Sequence, residues 1–516
     1  MTDPYFFMWD RLQPAEGDFD HLTCVGFLPY TENLPFIRST RKRHPDPLFF
    51  KSDLAIKDIL SSKAGPYYCV SGDVNSVDLS FRKMDVSVDR SLYRSYPFYE
   101  EALDLVDRML KPCFSLYREL SSEEVVLSLN LSAASGLPWG AVGLPKKRDF
   151  FRSDLASHWL FREDFCDQKF LWKVVPKIEW YHKDDIDKGK VRTFIIPPVD
   201  LVYHGKRVFG TQNENLKSFW WSAYGFNPYE GGVHRLAISL MRNPLFVFYD
   251  VSGWDRKLPN LDDVYDIRNS YIPDDKQPFA DFLADQAINS FIKHPNGKIY
   301  KKSWGNNSGS WNTTCDNIIA HMLILVHCLL VLFEGREEDV VSCFAALFGD
   351  DNVFSLPHVD PILIENTFKE VFSLYGLILD PFVVTNDLSD CEFLGFKFGK
   401  FRDQWIPVYN QERLLASFCY DYEKMPLSAN VSKSWTLTVM AAGGDRDVFE
   451  CMRTMVQSYL DSLRDNDDPT VRAYVELGAP DYESCMSFYT GLECGSSRMV
   501  EGIKNHYNEF KHWQNC

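Results

Sequence analysis

The residues best equipped for chemistry are two acidic segments, Asp250-Val251-Ser252-Gly253-Trp254-Asp255 and Phe348-Gly349-Asp350-Asp351-Asn352. Each acid pair follows an apolar run, Leu245 to Tyr249 and Val340 to Phe348, so a buried strand is expected to deliver each. Buried carboxylates are strongly disfavoured unless paired or metal-bound. Acids gathered at neighbouring strand ends therefore predict a divalent-cation site. Taken singly, Asp-x4-Asp and Gly-Asp-Asp also occur as turn or capping residues.

The elements between them supply the setting. Leu261 to Ser270 is followed by a helical Phe279 to Phe291 and by His294-Pro-Asn-Gly-Lys298, whose Asn-Gly is a hairpin signal. Trp304-Gly305-Asn306-Asn307-Ser308-Gly309 then opens an apolar helix ending near Phe333. Val340 to Phe348 and Val353 to Pro357 read as the arms of a hairpin tipped by Gly349-Asp350-Asp351-Asn352. This order can bring Asp250 and Asp350 side by side, where hard oxygen ligands suit a pair of Mg²⁺ ions of the kind polymerases use. Beyond the hairpin come an amphipathic helix, about Pro361 to Tyr375, and strand-like runs at Leu377 to Val384 and Phe393 to Phe398. From about Arg402 the chain reads as largely helical. Upstream, residues 1 to about 130 show one clear helix, roughly Tyr99 to Arg118. Leu131 to Lys147 is a Gly/Pro/Ser loop, and Phe170 to Pro198 reads as strand, charged turn, strand.

With 516 residues the chain exceeds one compact core, and roughly two to four subdomains are expected. A net charge of −17 excludes a basic coat but leaves room for a polymer channel with a local positive lining. Lys146 to Arg192 holds twelve Lys or Arg against nine Asp or Glu, and Arg38, Arg41, Lys42 and Arg43 form a second basic cluster. The thirteen cysteines lack zinc spacing and a disulfide framework, which points to a reducing compartment. Ile318 to Phe333, interrupted by His321 and His327, is short for a spanning helix and reads as core. The start of the chain carries neither a secretory nor a lipidation signal.

In order and spacing these segments resemble the RNA-dependent RNA polymerases of positive-strand RNA viruses, within the picornavirus-like supergroup, over roughly residues 131 to 400. Asp250 and Asp255 match motif A, Ser308-Gly309-x3-Thr313-x3-Asn317 matches motif B, and Gly349-Asp350-Asp351 matches motif C. Phe393-Leu394-Gly395-Phe396 resembles motif E, the primer-grip turn. Ser135-Gly136-Leu137-Pro138 resembles motif G. Lys177-x-Glu179 with Lys188, Lys190 and Arg192 resembles motif F, and Tyr224-Gly225-Phe226-Asn227-Pro228 is similar to the segment preceding motif A. Gly305-Asn-Asn-Ser-Gly with Thr313-Thr-Cys-Asp-Asn317 has an astrovirus-like flavour.

The resemblance implies an α+β right-hand fold: fingers with N-terminal extension and fingertips over 1–240, palm with motif A over 241–275, a fingers insertion over 276–300, palm with motifs B to E over 301–400, and a helical thumb over 401–516. It implies catalytic Asp250, Asp350 and Asp351, with the Val251 carbonyl as a further metal ligand, for two Mg²⁺ ions or Mn²⁺ in their place. Asp255, Ser308, Thr313 and Asn317 are implied in ribose selection. A site built around the 2′-hydroxyl leaves polar groups unpaired when a deoxynucleotide enters, so it discriminates strongly. Lys177, Lys190, Arg192, Ser135, Gly136 and Gly309 are implied in triphosphate or template binding. The implied partners are RNA template and product, ribonucleoside triphosphates and other viral replication proteins, with no intrinsic membrane span. The implied location is the host cytoplasm, at membrane-associated replication complexes.

One departure concerns the general acid. Many relatives carry a Lys in the loop after motif D, whereas Pro381 to Asp390 holds no Lys, Arg or His, and Lys369 is the nearest basic residue on the N-terminal side. Two competing readings are a reverse transcriptase, which typically lacks this motif B, and a catalytically weak palm-containing RNA-binding scaffold. A calcium-binding protein fits less well, for want of an Asp-x-Asp-x-Asp-Gly loop.

Overall fold

The computed structural model describes residues 3–29, 40–42, 44–45, 54–71, 74–421 and 425–509. Of the second basic cluster, Arg38 and Arg43 lie outside these residues, and Arg41 and Lys42 are described only as backbone of the strand Thr40–Lys42.

The fold is α+β, and a four-stranded antiparallel sheet lies at its centre, in the order Phe344–Phe348, Asp351–Leu356, Leu245–Val251, Leu379–Thr385. Its middle strand pairs Leu245, Phe246 and Val247 with Leu356, Ser355 and Phe354 on one side, and Val251 with Leu379 on the other. Phe348 pairs with Asp351, leaving Gly349 and Asp350 as a two-residue hairpin loop. Gly349 takes φ +71° there, the positive value that primed hairpin turns require.

One face of this sheet packs against the helix Thr313–Leu332, which belongs with the sheet residues Val247, Tyr249 and Phe354 to the largest core. That helix has 20 residues, more than the apolar run alone predicts. Among the described residues it is the one helix long and apolar enough to cross a membrane. Nearly all of it is buried inside the protein, as the core reading expects. The other face and the Asp351 strand contribute Phe246, Ala346 and Val353 to a second core with the helix Gly232–Leu240 and the strands Glu392–Phe393, Phe396–Phe401 and Gln404–Tyr409.

A five-stranded sheet joins distant parts of the chain, in the order Thr23–Phe27, Lys298–Lys301, Phe291–Lys293, Leu171–Pro176, Thr193–Ile196. The Asn-Gly signal is realised as the hairpin linking Phe291–Lys293 to Lys298–Lys301. Residues from Ile406 to Ile503 build a third, mostly helical core that also takes in Leu60 of the helix Leu54–Lys63 and Ala64 just beyond it. An ion pair from Lys63 to Asp445 at 3.0 Å lies at the same junction.

Several sequence expectations are corrected. Val340 to Phe348 is not one strand: Glu337–Ser342 is helical, with Glu337, Glu338 and Asp339 in its first turn, where the helix dipole favours acids. The strand begins at Phe344. The N-terminal region holds more than one helix, adding Pro4–Trp9, Leu54–Lys63, Val74–Arg82, Arg90–Arg94 and Ser122–Ser128 to Tyr99–Phe114. Such short helices draw their stability from packing and caps, here Asp3, Asp89 and Ser121, and show little periodicity. The charged turn after residue 176 contains a further strand, Glu179–His182, and a one-turn helix, Lys183–Asp187. The region after Arg402 starts with the strand Gln404–Tyr409 before it turns helical.

Candidate active site

Asp250 stands near the end of its strand and Asp350 in the hairpin loop, with Asp351 opening the next strand. All three are open to solvent, yet the surrounding protein still desolvates Asp350 and Asp351. For Asp350 that desolvation, followed by the charges of Asp255, Asp351 and Asp250, raises its pKa. Asp351 is raised to about 6, first by desolvation and then by Asp250 and Glu392. Among the described residues none of the three carboxylates has an ion-pair partner, and no three His, Cys, Asp or Glu side chains stand together as a ready metal cluster. The donor chemistry fits divalent cations all the same: hard oxygens whose mutual repulsion a cation would relieve.

Two bridges fix the hairpin tip to the Asp250 strand. The Asn352 carboxamide donates to the Tyr249 carbonyl at 2.8 Å and accepts from the Tyr249 N–H at 3.3 Å, and its Nδ2 also donates to the Asp350 carbonyl at 3.0 Å. A side chain thus makes the double bond that a main-chain rung makes elsewhere in the sheet. The second bridge is His321, with Nδ1 2.9 Å from the Gly349 carbonyl and Nε2 2.8 Å from the Tyr249 hydroxyl. Burial lowers its pKa to about 4. The neutral ring therefore donates from Nδ1 to the carbonyl and accepts from the phenol.

Beside the acids lies a hydrogen-bonded network. Asn317 Nδ2 donates to Asp255 Oδ1 at 2.7 Å, and Asn306 Nδ2 donates to Asn317 Oδ1 at 2.9 Å. The Asn306 N–H donates to the Asp255 carbonyl at 2.8 Å. Burial raises the Asp255 pKa, opposed by Asn317, Arg256, Arg192 and Lys302. The Thr313 hydroxyl serves the loop, donating to the carbonyls of Asn307 at 2.8 Å and Ser310 at 3.1 Å. Ser308 Oγ is buried without a hydrogen-bond partner among the described residues, so it does not join Asp255 and Asn317 here. The N-terminal turn of the helix is anchored by a fully buried ion pair, Arg268 Nε to Asp316 Oδ1 at 2.7 Å.

A family model described as viral RNA-dependent RNA polymerase matches residues 93–460. The chain belongs to that family. It is also similar to the genome polyproteins of Plum pox potyvirus (isolate NAT), 27% identical over 348 residues, and of Zucchini yellow mosaic virus (strain Reunion Island), 27% identical over 346 residues. These matches cover 64% and 63% of this chain and 11% of each polyprotein. A third relative, the genome polyprotein of Sweet potato mild mottle virus (isolate Salazar), is 27% identical over 258 residues, 48% of this chain and 7% of the polyprotein. The chain thus spans about a tenth of the length of these first two relatives.

Lys177, Lys190 and Arg192 sit on the hairpin that includes Leu171–Pro176 and Thr193–Ile196. Glu179 pairs with both Lys177 and Arg192, the latter at 3.6 Å, and Lys190 pairs with Asp185 at 3.2 Å. Arg192 is mostly exposed and its charge acts on both Asp255 and Asp351. Ser135 departs from expectation. It is 0% exposed and its hydroxyl donates to the Leu144 carbonyl, so its side chain is spent inside the loop and is closed to a ligand. Gly136 and Gly309 both press on the end of the Thr193–Ile196 strand, where an added Cβ would lie 2.2 Å from the Pro197 carbonyl oxygen and 2.1 Å from that of Ile195. Close approach is what these glycines provide. Lys369 pairs with Glu365 on its own helix, as a surface residue does.

Asn306, Asn352, His321 and Lys302 were not singled out in the sequence as site residues. Polar side chains inside apolar strands and helices are the signal that marks Asn352 and His321. Lys302 is buried, its pKa lowered to about 7 by burial and then by Arg256. Its Nζ donates to the carbonyls of Trp304 at 2.9 Å and Gly305 at 2.5 Å.

Proposed function

We propose that this chain carries out template-directed RNA synthesis, transferring nucleotidyl groups from ribonucleoside triphosphates to an RNA 3′-hydroxyl. The observation that carries the reading is the Asp255–Asn317 hydrogen bond placed beside the carboxylates of Asp250, Asp350 and Asp351. A sugar sensor thus adjoins an acid cluster that lacks its counter-charge.

In this reading Asp250 and Asp350 hold Mg²⁺, or Mn²⁺ in its place, with Asp351 as a secondary ligand and the Val251 carbonyl available alongside. Held by these residues, two such ions would supply Lewis-acid chemistry for the attacking and leaving oxygens. Asp255 and Asn317 meet the ribose 2′-hydroxyl, Ser308 offers its unpartnered hydroxyl to the same sugar, and Thr313 shapes the loop that carries Ser308. Arg192, Lys177 and Lys190 exchange their present carboxylate partners for the triphosphate, where charge-assisted bonds offset developing negative charge. Gly136 and Gly309 let the template loops close on the Ile195–Pro197 backbone, and Ser135 supports that loop from within. The loop at Pro381 to Asp390 offers no basic side chain to protonate the pyrophosphate, which leaves that donor unassigned and water as the candidate.

In architectural terms, residues 1–240 and 276–300 serve as fingers, 241–275 and 301–400 as palm, and 401–516 as thumb. The five-stranded sheet supports this division by uniting the N-terminal strand with the 291–301 hairpin. Release from a polyprotein accords with the relatives' being genome polyproteins, and the proposed setting is work with other viral proteins at membrane-associated complexes of the host cytoplasm.

The test is primer extension by purified protein with an RNA template, four ribonucleotides and Mg²⁺ or Mn²⁺. The expected result is RNA product from the wild type and none above background from Asp350→Asn. Equal incorporation by both overturns the reading.

A further inference from the structure

We infer that Asn306 determines sugar selectivity as a positioning residue: it fixes which end of the Asn317 carboxamide faces Asp255. The inference rests on the reading of Asp255 and Asn317 as the ribose sensor.

A carboxamide presents an acceptor oxygen and a donor NH₂ on opposite sides of nearly symmetric ends, and a half-turn of the group exchanges them. Only one orientation of Asn317 lets it donate to Asp255. The orientation is set from outside the pair. Asn306 Nδ2 lies 3.1 Å from the Thr313 main-chain carbonyl, an acceptor with no proton to give, so the NH₂ end of Asn306 must face it. The same NH₂ donates to Asn317 Oδ1 at 2.9 Å, which turns Asn317 Nδ2 onto Asp255 Oδ1 at 2.7 Å. Asn306 Oδ1 is meanwhile buried with no hydrogen-bond partner among the described residues, so the oxygen end of this side chain does not orient it.

The scaffold around Asn306 leaves it little freedom. Asn306 is 2% exposed and Asn317 4%. The Asn306 N–H is bound to the Asp255 carbonyl, and Gly305 precedes it at φ +72°, where a Cβ would meet the carbonyl oxygens of Asp255 and Arg256 at 2.8 Å. Lys302 holds the carbonyls of Trp304 and Gly305. With one Asn317 amide hydrogen given to Asp255 Oδ1, its second hydrogen and Asp255 Oδ2 remain as a donor and acceptor pair. A 2′-hydroxyl, itself donor and acceptor, satisfies both; a 2′-deoxy carbon satisfies neither.

The experiment measures kcat/KM for a ribonucleotide and for its 2′-deoxy counterpart in single-nucleotide extension by the full chain, in wild type, Asn306→Leu and Asn306→Asp. The leucine keeps the approximate volume and removes the donor. The aspartate puts an acceptor where the donor was, so Asn317 must turn its NH₂ away from Asp255. The ribo-to-deoxy ratio is expected to fall about tenfold or more in both, chiefly through the ribonucleotide, with half-saturating Mg²⁺ unchanged. Asn306→Ser, scored by the same ratio, serves where melting shows that a bulkier variant has not folded. Asn317→Ala separates the two levels of the argument. If it leaves the ratio unchanged, the sensor reading fails. If it lowers the ratio while a folded Asn306 variant stays within about twofold of wild type, the positioning role of Asn306 is overturned and the sensor stands.

Discussion

The two halves of the site are built on opposite principles. Around Asp255 the amides of Asn306 and Asn317 form a continuous donor chain anchored on a main-chain carbonyl, so its geometry is set before any ligand arrives. Around Asp350 the carboxylates repel one another, lack a cationic partner among the described residues, and are kept near one another through their backbones, which Asn352 and His321 tie together. The contrast separates recognition from reaction. Selectivity needs a fixed hydrogen-bonding pattern, whereas a metal site keeps its ligands short of counter-charge so that the cation supplies it.

The sharpest way to break this comparison is Asp350→Asn. It should slow extension by about a thousandfold, taking several kcal/mol of lost transition-state stabilisation at about 1.4 kcal/mol per tenfold, while leaving the metal-free melting temperature equal or higher because a repelling charge is gone. A variant that loses stability along with activity would show that the acids are not mutually strained.

Next in size, Asn352→Ala should raise the half-saturating Mg²⁺ concentration about tenfold, as loss of a supporting residue around metal ligands does, with nucleotide KM little changed. A Mg²⁺ titration matching wild type would remove Asn352 from the support of the acids. Arg192→Ala should raise nucleotide KM several-fold, with the ribo-to-deoxy ratio preserved; pre-steady-state single-nucleotide kinetics report both.

The smallest effect concerns pH. Asp351 has its folded pKa raised from 3.8 to about 6, so its proton is held more tightly in the folded state. The stability this gives is full below pH 3.8 and is lost as pH rises through about 6. The melting temperature of metal-free protein should therefore carry a component that falls by a few degrees from about pH 4 to about pH 7, and added Mg²⁺ should restore it mainly at the higher pH. The same component should shrink in Asp351→Asn; its persistence there at full size would assign it to other buried acids such as Asp316.

Local sequence carried much of this. The acidic segments, the Ser308 to Asn317 spacing, the Asn-Gly hairpin and the buried helix are patterns within short windows, where strand alternation, turn chemistry and apolar runs act directly. The helix at Glu337–Ser342 and the short N-terminal helices escaped because helices of a few turns or fewer are stabilised by what they pack against. Ser135 was misjudged because a Ser-Gly turn reads alike whether its hydroxyl faces a ligand or its own loop.

The residue types and their order settled the chemistry available to this protein: hard oxygen ligands, an amide beside a carboxylate, and a basic hairpin. Which atoms face one another was decided only by the tertiary structure. Asn306 meets Asn317 across eleven positions, Asn352 reaches Tyr249 across 103, and His321 reaches Gly349 across 28. The direction of a hydrogen bond depends on where its partner's lone pair or proton lies, and contacts between separate elements are fixed by packing rather than by local pattern.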